Sequence, residues 1–127
     1  MKKNLIIPVF ALLVALSMII VALAQDGSKT VTGNLVDNMC AQGMVKKGNH
    51  SGSAGHSGKA GCALKEACAK SGFGVFADGK FYKFDDEGNK LAKAALENSS
   101  KDTGVNFSVT GKITGETMAV TAIKEAK

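Results

Sequence analysis

Hydrophobic positions fall into one long block and then several short, spaced groups. Leu5 to Leu23 is a nearly unbroken apolar run behind Lys2 and Lys3, and Ala22-Leu23-Ala24 before Gln25-Asp26 has the small-x-small form of a signal-peptidase site. Residues 1–24 are read as a Sec export signal that is cleaved, placing the mature chain in the periplasm or outside the cell. An uncleaved membrane anchor is the alternative, since the run nearly matches the roughly 20 residues needed to span a bilayer.

The remainder, 25–127, reads as a single domain. Thr30 to Val36 is rich in β-branched residues and predicts a first strand, with Gly33 marking a bulge or tight bend. Residues 41–61 lose all periodicity and are punctuated by Gly and Ser, predicting a flexible Gly/Ser/His loop. Ala63 to Lys70 predicts a short helix, with Gly72 placed as its C-terminal stop. Val75 and Phe76, then Asp78-Gly79, then Lys80 to Phe84 predict a hairpin with a type I′ turn. The acids Asp85 and Asp86 are read as a solvated turn. Lys90 to Asn98 predicts a helix with Leu91, Ala94 and Ala95 on its buried face and Leu96 near the edge. Val105, Phe107 and Val109 alternate with polar residues, as do Met118, Val120 and Ala122, with a turn at 113–116. The expected fold class is mostly β (small α+β). It is a five-stranded OB-like Greek-key barrel with a helix between strands 3 and 4 and a short Cys-containing helix after strand 1.

The whole chain has 127 residues, a formal charge of +5, one Pro and no Arg or Trp. Loss of residues 1–24 removes two lysines and no acids, leaving +3. Length excludes a multidomain enzyme, and the mild charge gives little attraction for polyanions. Phe73, Phe76, Phe81, Tyr82 and Phe84 cluster as in some OB-folds that stack bases. Core demand, export and the lack of Arg argue against nucleic acid as a partner. Membrane contact is expected only through the N-terminal segment if it is retained.

Candidate chemistry is confined to Cys40, His50, His56, Cys62 and Cys68, which hold every Cys and His of the chain. Export favours a disulfide. Cys62 and Cys68, if both helical, stand about 9 Å apart along the axis, too far to bridge. Cys40 with Cys62 or with Cys68 remains, a closure worth roughly 3 kcal/mol. Alternatively Cys40, His56, Cys62 and Cys68, with His50 in reserve, can supply zinc or copper with four ligands, although no Cys-x-x-Cys is present. Thiol redox chemistry is a third reading, with Lys65 and Lys70 the nearby cations. Haem attachment, a phosphate loop at Gly58-Lys59 and a nucleophile elbow all lack their motifs. No catalytic residue emerges. A non-catalytic binding module for an unknown small ligand, metal or protein is the expectation.

The series Thr32-Gly33-Asn34-Leu35-Val36-Asp37…Cys40, His56, Cys62-Ala63-Leu64…Cys68, Phe76…Asp78-Gly79-Lys80-Phe81-Tyr82 and Val109-Thr110-Gly111…Gly115-Glu116-Thr117 resembles a group of small exported bacterial proteins of unknown function. The resemblance covers nearly all of the mature chain. It implies an OB-like barrel and makes Cys40, His56, Cys62 and Cys68 the group's Cys/His positions, without implying an activity.

Overall fold

The computed structural model describes residues 27–127; the export signal expected at 1–24 lies outside them. Strand β1 (Ser28–Asp37) runs into helix α1 (Asn38–Lys47). Two short 3-10 turns, Ser53–His56 and Cys62–Leu64, lead to α2 (Glu66–Lys70). Then come β2 (Phe73–Ala77), β3 (Lys80–Phe84), α3 (Asp86–Glu97), β4 (Phe107–Thr114) and β5 (Thr117–Glu125). The result is a small α+β protein whose five-stranded mixed sheet closes in a ring ordered β1-β2-β3-β5-β4. The β3–β5 pairing is parallel and the others are antiparallel.

The ring closes because β1 changes partner. Ser28 to Gly33 pair with β4, and Asn34 to Asp37 pair with β2. Gly33 stands at the change, and a Cβ there would lie 1.6 Å from the Phe76 carbonyl oxygen. The glycine marks this close backbone approach; the ladder's register break lies between Thr110 and Gly111. Past Gly33, β1 has left β4, and the Leu35 N–H donates instead to Ser57 Oγ (3.0 Å). Asn34 Nδ2 bridges to the Val105 carbonyl at 3.0 Å.

Alternation places Leu35, Val75, Phe107, Val109, Met118 and Val120 in the interior. Helix α3 adds Ala92 and Leu96 to them. Val36 and Phe76 point the other way and meet Ala41 of α1, so β2 is buried along its whole length. Asp78 (φ 51°) and Gly79 (φ 75°) are both left-handed, as the type I′ turn between β2 and β3 requires.

Four local expectations need correction. Part of 41–61 is ordered as helix: α1 runs to Lys47 and ends at Gly48, whose N–H donates to the Met44 and Val45 carbonyls. Asp85 is a helix cap, its carboxylate accepting from the N–H groups of Gly88 (2.9 Å) and Val120 (3.2 Å). Helix α3 therefore starts at Asp86 instead of Lys90; Gly88, Ala92 and Leu96 are buried on its inward face, Leu91 and Ala95 pack half-buried against the core as expected, and Ala94 is exposed. Small residues at 88 and 92 let the helix lie close to the sheet. Finally, β4 continues to Thr114, so only Gly115 and Glu116 form the β4–β5 turn.

The two kinds of glycine give opposite expectations. Gly33→Ala must displace the β2 backbone and should cost at least about 2 kcal/mol in urea unfolding. Gly43 sits exposed within α1 with no atom near its missing Cβ, so Gly43→Ala should stabilise by about 0.5–1 kcal/mol. A neutral Gly33→Ala would contradict the closure at that point.

Candidate metal centre

The junction of β1 and α1 organises the chemistry. Asp37 keeps an extended backbone and caps α1, its Oδ2 accepting from the Cys40 N–H at 2.9 Å. The two preceding N–H groups of the helix are also satisfied. Asn38 N–H donates to the Gly72 carbonyl (2.9 Å) and Met39 N–H to Ser71 Oγ (3.1 Å). Ser71 Oγ in turn donates to the Cys68 carbonyl at 2.6 Å, and Asn38 Nδ2 to the Ser71 carbonyl at 2.8 Å. The end of α2 is thus stitched to the start of α1, carrying Cys68 to Cys40.

Asp37, Cys40 and Cys68 each offer a ligand atom, and these atoms lie within 4.8 Å of one another. Cys40 and Cys68 stand 4.2 Å apart and are not bonded. Of the two anticipated Cys40 pairings, this is the one the fold brings together in the group. Cys62, half-buried at the start of the second 3-10 turn, does not belong to it.

His56 reaches the centre through Asp37. Its Nδ1 lies 3.1 Å from Asp37 Oδ1, with the carboxylate fully buried and the imidazole nearly so. A buried carboxylate needs such partners, because desolvation without them costs several kcal/mol. The Gly/Ser segment is anchored to place this histidine. Ser53 Oγ donates to Asn34 Oδ1 (2.9 Å) and Ser57 Oγ to the Val105 carbonyl (2.6 Å). Backbone bonds run from Gly104 N–H to the Ala54 carbonyl and from Val105 N–H to the Ser57 carbonyl. His50 lies apart from the group, its ring against Phe76 at a centroid distance of 4.6 Å.

Of the four ligands expected from the sequence, the fold brings Cys40 and Cys68 together and sets His56 behind Asp37, while Asp37 itself was not among them. An available signal was the helix-cap spacing, Asp37 with the Cys40 N–H three residues on.

Burial pushes the Cys40 thiol up from 9.0 to about 12, helped by its hydrogen bond to Asp37 and the negative charges of Asp37 and Cys68. A nucleophilic thiol needs the opposite shift, so this environment does not favour redox catalysis by Cys40. Two thiols and a carboxylate crowd acidic groups into one place. A cation that replaces their protons relieves this crowding.

Comparison with family models, with curated proteins and with solved structures gives no match to this chain.

A direct check is the alkylation of Cys40 by iodoacetamide at pH 8. Thiolate there should be scarcer by about a thousandfold than at the ordinary value of 9.0. Cys40 in metal-free folded protein should react at least about a hundredfold more slowly than in the denatured chain, gaining about tenfold per pH unit. Equal rates in the two states would contradict the described environment.

Proposed function

We propose that this protein is an exported, non-catalytic OB-like module that holds one zinc ion through Cys40, Cys68 and Asp37. The observation that carries the reading is the convergence of those three donor atoms within 4.8 Å. His56 acts from behind, holding Asp37 in the orientation that presents its carboxylate, as outer-shell partners of metal ligands do. Sulfur, sulfur and oxygen form a mixed set that suits borderline zinc better than soft Cu(I). Charge points the same way, since three anionic ligands are offset more fully by a divalent cation.

The wider parts of the reading have their own supports. The ring order β1-β2-β3-β5-β4 with a helix between β3 and β4 matches the connectivity of an OB-like Greek-key barrel. Export rests on the apolar run behind Lys2 and Lys3. No helix among the described residues is long and apolar enough to cross a membrane.

A second reading follows from the same pair. At 4.2 Å, Cys40 and Cys68 need move by only about 2 Å to reach disulfide length. Such a bridge would tie α1 to α2, and it excludes zinc because it consumes both thiolates.

Native and denaturing mass measurement of the exported protein, with and without alkylation, separates the two. The zinc reading expects one metal per chain in the native state and three alkylatable thiols once zinc is removed. Cys40→Ser and Cys68→Ser should abolish stoichiometric zinc, His56→Gln should weaken it about 10- to 100-fold, and Cys62→Ser should leave it unchanged. A mass lower by two hydrogens, with only Cys62 alkylated, would replace zinc by the Cys40–Cys68 bridge.

A further inference from the structure

A second feature lies on the same helix but away from the thiols. Asn38, Gln42, Val45 and Lys46 recur at i, i+4, i+7 and i+8, so one face of α1 forms a wall. Opposite stand the β2–β3 hairpin and the β4–β5 turn. The groove between them holds about 820 Å³, within the range of small-molecule sites.

Three properties of its lining define an occupant. First, two buried side-chain polar atoms among the described residues lack a partner, Asn38 Oδ1 and His50 Nδ1, and both residues line this groove. Asn38 is only 6% exposed, and its amide orientation is fixed because Nδ2 donates to the Ser71 carbonyl. Its oxygen is therefore a buried acceptor without a donor, the kind of group that a ligand's N–H or O–H can satisfy. Second, the charge is lopsided: Lys46, Lys80 and Lys83 face one acid, Glu116. Third, Phe81 offers a half-buried ring, itself packed on Phe76 at 4.9 Å, and Phe76 also meets the His50 ring at 4.6 Å.

We infer that this groove binds a small ring-bearing organic anion that also carries an N–H or O–H donor. The ring packs on Phe81, the anionic group lies among the lysines, and the donor meets Asn38 Oδ1. None of these side chains is a ligand in the zinc reading, and Asn38 is shared only through its Nδ2, which helps join α2 to α1, so the inference stands whether or not zinc binds at Cys40 and Cys68.

Three probes separate the contributions in calorimetric titrations of the exported protein, with and without zinc. Indole-3-acetate has the ring, the charge and the ring N–H. Indole-3-acetamide lacks the charge, and 1-naphthylacetate lacks the ring donor. Indole-3-acetate should bind one per chain and at least about tenfold more tightly than either analogue. The double variant Lys80→Gln/Lys83→Gln changes only exposed side chains and should bring indole-3-acetate down to the level of the amide. Circular dichroism reports whether that variant keeps its fold. Equal affinity for the three probes, no binding of any, or a folded double variant with undiminished affinity would each overturn the inference.

Discussion

A single buried carboxylate holds together the part of the molecule where chemistry is possible. Asp37 ends β1, caps α1 through the Cys40 N–H, and receives His56 on its other oxygen. Each contact fixes a different segment: the helix that carries Cys40, and the Gly/Ser stretch that carries His56. Cys68 then joins through the stitching of Ser71 and Gly72 onto the first turn of α1. Removing the carboxylate would release the first turn of α1 and the His56 segment together, because one fully buried acceptor holds both.

That junction depends on how the sheet closes. β1 can leave β4 and take up β2 only where no side chain stands between the strands, at Gly33. The backbone group left behind on Leu35 is satisfied by Ser57, a residue of the same segment that ends its 3-10 turn with His56. Closure of the ring and placement of the histidine are therefore one arrangement. A polar, glycine-rich stretch with little hydrophobic pattern is held by hydroxyls and backbone hydrogen bonds in place of apolar burial.

Strands and the hairpin were legible in the sequence because their signals are local. Val105, Phe107 and Val109 alternate, and Asp78-Gly79 demands left-handed backbone. Helix α1 was hidden because it buries only Asn38 and Ala41, so no apolar stripe announces it. Its ends were nevertheless marked, by Asp37 before it and Gly48 after it. The same cap signal would have shifted α3 back to Asp86. Clustering of Cys and His drew attention to one stretch of chain, but composition could not show which members meet. Cys62 is near in sequence and outside the group, whereas Asp37 is a carboxylate that only the fold brings beside two thiols.

Two neighbouring faces of α1 thus carry different chemistry, sulfur and carboxylate at its start and a basic, ring-lined groove along its side. Zinc bound at the first would carry two sulfur ligands. Zinc K-edge X-ray absorption of the metal-loaded protein tests it most directly. Two sulfur neighbours at about 2.3 Å are expected, with the remaining ligands oxygen or nitrogen at about 2.0–2.2 Å, and the sulfur signal should be lost in Cys40→Ser/Cys68→Ser. A shell of oxygen and nitrogen alone, or a sulfur shell unchanged in that double variant, would contradict it.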